Sequence, residues 1–368
     1  MYIHLNKDWP NFHWDNNTLL PYVSKVRDLQ GRLIGRMESL GSELREEAVL
    51  ETLTDDIVQS GAIEGEFLNP DEVRSSIARR LGMEISGLPE ASRDVEGFVE
   101  MMLDATQKYK APLTKGRLCG WHAALFPTGR SGMYKITVGD WRNDAKGPMQ
   151  VVSGPMGKEK VHYTAPEAER LESEMNRFIQ WFNTDYHMEP VIKSAIAHLW
   201  FVSIHPFDDG NGRIARAIAD CQLARADRTK QRFYSMSAQI MESKKEYYNI
   251  LESTQKGSLN VSQWLVWYLE RLNEALKATD ETLSKILMKA RFWEIHKTTQ
   301  LNERQVKMIN ILLADFVGKL HSSKWAKMTN VHRDTALRDI QDLVEKGILS
   351  DSGEGGRSTN YILNLPRL

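Results

Sequence analysis

Cysteine is nearly absent from the chain. Cys119 and Cys221 are the only two in 368 residues, far apart and without ligand-like spacing to a histidine, which argues against a disulfide framework and a structural zinc site. Net charge is nearly absent as well: 48 lysines and arginines against 49 aspartates and glutamates leave −1, so no global basic field marks the chain for nucleic acid or an anionic membrane. Any such role has to be local. The longest apolar run, Ala195 to Ile204, contains His198 and is half a membrane span, and the opening MYIHLNKDWPNFHWDNN is too polar for a secretory signal. The expected location is therefore cytoplasmic, with no membrane partner. There are no internal repeats or low-complexity tracts, and proline is sparse at 12 residues. What is present is 41% hydrophobic residues, 26% charged residues and 10 tryptophans, the profile of a packed globular protein long enough for two or three domains.

Helical periodicity dominates. Leu19, Tyr22, Val23, Val26, Leu29 and Leu33 recur at three- and four-residue spacing, and Val49, Leu50, Leu53, Ile57 and Val58 mark a second helix that stops near Gly65. Asn69-Pro70-Asp71-Glu72 supplies a cap, a first-turn proline and two acids for a third. Further helices are expected over 91–108, 114–126, 167–183, 190–204, 213–225, 244–254 and 261–296. Between 129 and 157, glycines and prolines surround two β-like pieces, 135–138 and 149–152, which read as one hairpin. Beyond a linker at 297–302, three short helices and two strands flanking the tip GEGGRS read as a winged helix-turn-helix domain. The expected fold class is mainly α: an N-terminal helical segment over 1–90, a helical-bundle core over 91–296 with a flap at about 131–155, and the winged domain over 299–368.

The chemistry concentrates at 205–216, HPFDDGNGRIAR. Pro206 disfavours helical geometry at His205, so the apolar helix from Pro190 ends there and His205 faces a loop. Gly210-Asn211-Gly212 opens the next helix, whose first-turn backbone N–H groups make an anion site suited to phosphate. Arg213 and Arg216, three apart, can both reach that anion. Asp209 offers the single carboxylate that magnesium takes beside phosphate oxygens, and His205 can accept a proton near neutral pH.

These twelve residues match, without a substitution, the pattern HPFx(D/E)GNGRxxR, and in this the chain resembles the Fic family, whose members mostly transfer AMP from ATP to hydroxyl side chains of proteins. The resemblance implies a Fic-type core in which His205 deprotonates a target Ser, Thr or Tyr. Asp209 holds Mg2+, and Asn211 with the Gly210 and Gly212 backbone receives the α- and β-phosphates. Arg213 contacts the β-phosphate region, Arg216 takes the γ-phosphate, and Phe207 is a packing anchor. Family members that transfer phosphate carry lysine where this chain has Gly212, so nucleotidyl transfer is favoured. Ser60-Gly-Ala-Ile-Glu64-Gly65 resembles the family's inhibitory pattern (S/T)xxxE(G/N), which implies a Glu64–Arg216 salt bridge, autoinhibition and, in some relatives, removal of AMP from the target. A carboxylate at a helix C-terminus is unfavourable without a cation, which agrees. By the same resemblance the hairpin is a flap that registers the target by strand addition. The resemblance further implies that Tyr247, Tyr248 and Gln255 line the adenine pocket for ATP as co-substrate and, since relatives often dimerise, points to a homodimer, the oligomeric state being left open by the residues themselves.

Other features read more plainly. His122, His162, His187 and His198 do not cluster at ligand spacing, and Trp264, Trp267 and Tyr268 have core spacing. From Thr299 onward ten basic residues face eight acidic ones, and the candidate recognition helix carries Asp334, Asp339, Asp342 and Glu345 beside Arg333 and Arg338. Such a surface fits protein docking or dimerisation better than DNA. The alternatives to an adenylyltransferase are a nucleotide-sensing DNA-binding regulator and an enzyme of the same kind using UTP or another donor.

Overall fold

The computed structural model describes residues 1–83, 89–145, 147–155, 157–184, 187–313, 316, 318–351 and 360–365, the side chains of 281 and 282 excepted. Fourteen helices run through the described residues: α1 Asn16–Glu38, α2 Ser42–Ile63, α3 Pro70–Leu81, α4 Arg93–Gln107, α5 Lys115–Leu125, α6 Leu171–Asn183, α7 Pro190–Ile204, α8 Asn211–Asp227, α9 Met236–Glu242, α10 Lys244–Gln255, α11 Ser262–Ile295, α12 Glu303–Leu313, α13 Ser322–Thr329 and α14 Arg333–Glu345. None is long and apolar enough to cross a membrane. Contacts divide the chain into two compact units, Met1–Thr279 and Asp280–Leu368, with the division falling inside α11.

In the first unit the centre is the pair α7 and α8, with α4, α2 and α5 packed on α8 and α6 on α7. Almost every residue of α7 is buried, which is why its sequence is apolar on all sides and lacks the one-sided stripe of α6. Local chemistry sets the boundaries. Asp15 caps α1 by accepting from the Asn17 amide at 3.0 Å, and Asn69 caps α3 by accepting from Asp71 at 2.9 Å, with Pro70 in the first turn. Helix α9 lies in a stretch whose sequence gave no periodic signal, and it packs on α2.

The strands correct one expectation. The pieces at 135–138 and 149–152 do not pair with each other. Instead β1 Arg130–Ser131 pairs with β2 Tyr134–Lys135, and β3 Gln150–Ser153 pairs with β4 Lys160–Thr164, each antiparallel. Residues 136–138 leave strand geometry because they are held elsewhere: the Ile136 amide donates to Gly129 and that of Thr137 to the Asp208 carboxylate at 2.7 Å. The true partner, β4, was hidden by its polar residues. Its one fully buried side chain, Tyr163, donates to the Ser203 carbonyl at 2.7 Å and anchors the pair on α7.

In the second unit α12, α13 and α14 enclose a core of Phe292, Met308, Ile309, Trp325, Ile340 and Leu343. β5 Leu349–Asp351 and β6 Tyr361–Leu363 follow as an antiparallel pair. The tip GEGGRS lies outside the described residues. Asp339 is nine-tenths buried and salt-bridged to Arg304 at 2.8 Å, and Asp342 pairs with Lys346, so two of the acids on α14 are held by partners within this unit.

Candidate active site

The site forms where α7 ends and α8 begins. His205 closes α7 in the left-handed conformation, φ 53° and ψ 58°, which for a residue with a side chain costs on the order of 1 kcal/mol. Three bonds hold it there. Its amide donates to Phe201 at 3.0 Å, its Nδ1 donates to the Val202 carbonyl at 3.2 Å, and its own carbonyl accepts from Arg142 Nε at 2.8 Å. Because Nδ1 carries the proton, Nε2 of the neutral ring is left as an acceptor. Burial, the largest influence, pushes the imidazole down to about 4, so the ring is neutral at pH 7.

Arg142, which no sequence signal singled out, is almost fully buried and also binds Asp144 at 2.6 Å and the Pro166 carbonyl at 2.5 Å. It fixes the His205 backbone from outside the motif. Phe207 is fully buried and stacks on His122 with ring centroids 4.2 Å apart. Asn211 spends its side chain on the loop, accepting from the Phe207 amide at 3.0 Å and donating to the Phe207 carbonyl at 2.8 Å. What it offers an anion is its backbone N–H. Gly210 enters α8 at φ 80° with the Phe126 ring so close that a Cβ there would stand 2.9 Å from it.

The N-terminus of α8 is covered by the end of α2. Glu64 caps that helix immediately after Ile63, its last residue, and Gly65 at φ 83° reverses the chain. The Gly65 amide donates to Ala62 at 3.1 Å and the Glu66 amide to Gly61 at 3.0 Å, the paired bonds of a Schellman turn. This rigid turn presents two carboxylates. Glu64 lies against Gly212 so closely that a Cβ on that glycine would collide with the carboxylate. It binds Arg216 Nη1 at 2.9 Å, while Arg216 Nε donates to the Ser60 hydroxyl at 2.8 Å and Nη2 to the Ser60 carbonyl at 2.9 Å. Glu66 pairs with Arg213 Nη1 at 2.5 Å. Two acids at a helix C-terminus and two arginines at a helix N-terminus are each unfavourable alone; facing one another, they neutralise both ends. Glu64 and its neighbours keep the Arg216 guanidinium above the ordinary arginine value in spite of its burial.

Helix α10 completes this wall. Tyr248 donates to the Ile63 carbonyl at 3.1 Å and stands 3.5 Å from the Glu64 carboxylate, while Lys244 reaches the Ala62 carbonyl at 3.3 Å. Tyr247 is buried beside Arg216 with its hydroxyl 2.9 Å from His198 Nε2, and Gln255 is buried and donates to the Ser203 hydroxyl at 3.2 Å.

Asp209 accepts from the Ser131 hydroxyl of β1 and from the Gly210 amide at 2.6 Å, and lies 3.9 Å from Arg213. No group of three or more His, Cys, Asp or Glu capable of holding a metal exists among the described residues. A lone carboxylate next to an anion site is a donor set that suits a hard divalent cation such as magnesium, which would take its remaining ligands from phosphate and water.

Comparison with known proteins agrees with this architecture. Residues 112–223 match the Fic/DOC family model, and residues 2–83 match a family described as a domain of unknown function, DUF4172. The motif thus lies in the first matched stretch and the two acids in the second. Protein adenylyltransferase Fic of Drosophila willistoni is 34% identical over 87 residues, 23% of this chain and 16% of that protein. Protein adenylyltransferase Fic of Nematostella vectensis is 24% identical over 224 residues, 55% of this chain and 47% of its own length. The chain thus spans less than half the length of these curated relatives. The crystal structure of a Fic family protein from Desulfovibrio desulfuricans superposes with a TM-score of 0.53 at 20% identity, covering 94% of this chain and 96% of that one. The mainly helical fold with small antiparallel strand pairs is a Fic fold, and the chain carries a Fic/DOC domain.

Proposed function

We propose that this chain is a protein adenylyltransferase that transfers AMP from ATP to a Ser, Thr or Tyr hydroxyl of a target protein, and that the end of α2 holds it inactive. The observation that carries the reading is the pairing of a neutral His205, with Nε2 open, and a helix N-terminus bearing Arg213 and Arg216. His205 Nε2 takes the proton from the target hydroxyl as its oxygen attacks the α-phosphorus. The bond to the bridging oxygen breaks and pyrophosphate leaves. Backbone N–H groups of Asn211 and Gly212 stabilise charge on the reacting phosphate, and the two arginines hold the leaving portion. Mg2+ held by Asp209 and the phosphates would neutralise charge on the leaving group. Glu64 opposes all of this: its carboxylate lies over Gly212 and its partner is Arg216, so the triphosphate meets an occupied clamp.

Removal of AMP from a modified target is a second reading, favoured by the same Glu64 carboxylate, which lies where it can orient a water beside the anion site. Incubating Glu64→Gly with labelled ATP and with labelled UTP, in lysate and alone, tests transfer. Labelling of protein from ATP that disappears in Glu64→Gly with His205→Ala is the expected result. A Glu64→Gly protein that binds ATP and labels nothing would leave transfer without support.

A further inference from the structure

The residue after the inhibitory pattern carries its own charge and its own partner. Glu66 lies one step beyond Gly65, its backbone fixed by the Schellman bond to Gly61, where a Cβ would stand 2.7 Å from the Glu66 carbonyl. Its carboxylate reaches Arg213 Nη1 at 2.5 Å. The Arg213 side chain is only 6% exposed, lies over the Phe126 ring at 4.9 Å and has a buried Nε with no hydrogen-bond partner, so its guanidinium is not fully satisfied as it stands. Glu66, at 36% exposed, can swing into water.

We infer that Glu66 is a second lock, independent of Glu64, that occupies Arg213 and so weakens binding of the β-phosphate. Each carboxylate then competes with one phosphate: Glu66 with β at Arg213, Glu64 with γ at Arg216. A nucleoside monophosphate has no β-phosphate to bring to Arg213 and leaves the Glu66 pair in place. A diphosphate has to displace Glu66, and a triphosphate both. The resting protein therefore discriminates against polyphosphates in two steps, and the residue that follows Gly65 sets the first.

This inference rests on the nucleotide-transfer reading for the location of the phosphates, and a binding experiment separates the two. Equilibrium affinities for AMP and ADP are measured on the full-length wild type, Glu66→Gln, and Glu66→Gln with Arg213→Ala. The glutamine keeps the side-chain length and a hydrogen-bond acceptor while removing the competing charge. ADP should tighten about tenfold in Glu66→Gln with AMP unchanged, and the gain should vanish with Arg213→Ala. Equal shifts for AMP and ADP, or no shift, would overturn the second lock. Glu64→Gly labelling protein in a His205-dependent way while the ADP-to-AMP ratio stays fixed would leave transfer standing and remove the lock. The selective ADP gain without any protein labelling would keep the lock and count against transfer. Binding of neither nucleotide to any variant would overturn both.

Discussion

Helix α8 carries a cluster of opposite charges at each end, and the two clusters behave differently because their acids are exposed to different degrees. Beyond its C-terminus Arg232 binds Asp220 at 2.7 Å and Asp227 at 3.1 Å, with the three side chains 2–3% exposed. Tyr234 donates to Asp227 at 2.7 Å and Gln30 donates to it at 2.8 Å, while Asp56 accepts from the Ser235 hydroxyl at 2.7 Å. Burial, with Asp56 close by, pushes Asp220 well above the usual carboxylate range. No ligand can reach this cluster, and removing a partner strands charge in the core. At the N-terminus the arginines are just as buried, but Glu64 and Glu66 are 32% and 36% exposed and sit on a turn outside the core. On the proposed reading these are the acids that a nucleotide's phosphates displace into water, so that the exposure of its acid would separate an ion pair serving as switch from one serving as scaffold.

The largest effect expected from this contrast is on activity. In a Glu64→Gly background, His205→Ala should lower AMP incorporation by about 10²-fold or more, the range for loss of a general base, read as the initial rate of labelling. A residual rate within a few-fold would mean that another group takes the proton. The next is on stability: Arg232→Ala should cost about 3–5 kcal/mol in denaturant unfolding because Asp220 and Asp227 lose their cation in the interior. Glu64→Gln should cost about 1 kcal/mol, since the amide still accepts from Arg216. Equal losses would erase the distinction between the two ends.

A smaller effect is expected at the turn. Gly61→Ala places a methyl against the Glu66 carbonyl, displaces the turn that aims both acids and should raise basal labelling by roughly fivefold without any change in charge. Unchanged labelling would show that the acids do not depend on the turn. The smallest is a flat pH profile. Because His205 is held down to about 4, it is neutral throughout the ordinary histidine range and loses function only as pH falls towards that value. For Glu64→Gly, kcat/KM, which reports the free enzyme, should stay level from pH 7.5 through about 6.5, and a half-loss near about 6.5 would contradict the neutral buried ring.

The sequence shows the centre of this site more clearly than its supports. His205 to Arg216 could be read because its chemistry is local: a helix stop before Pro206, a glycine-rich helix start and two arginines in one turn. Helices with apolar period or caps, such as α1, α3 and α7, were readable for the same reason. The true partner of β3 was not, because β4 has one buried anchor among polar residues and its pairing is long-range. Arg142 gave no signal, since a buried arginine in a loop has no periodicity to betray it. Glu66 did give one: a second acid just past a helix end that already carries Glu64 demands a second cation, and Arg213 was already in view. Arg232 was likewise legible in principle from Asp220 and Asp227, two acids seven residues apart on one face of a helix that is buried on nearly every side.

The central claim, that the end of α2 closes a complete transfer site, is tested most directly by the ratio of AMP-incorporation rates of Glu64→Gly and wild type on the same lysate with magnesium and labelled ATP. A ratio of about tenfold or more is predicted, the size of a typical coupling between two sites. Equal, measurable rates in the two proteins would show that Glu64 restrains nothing, and would contradict the account.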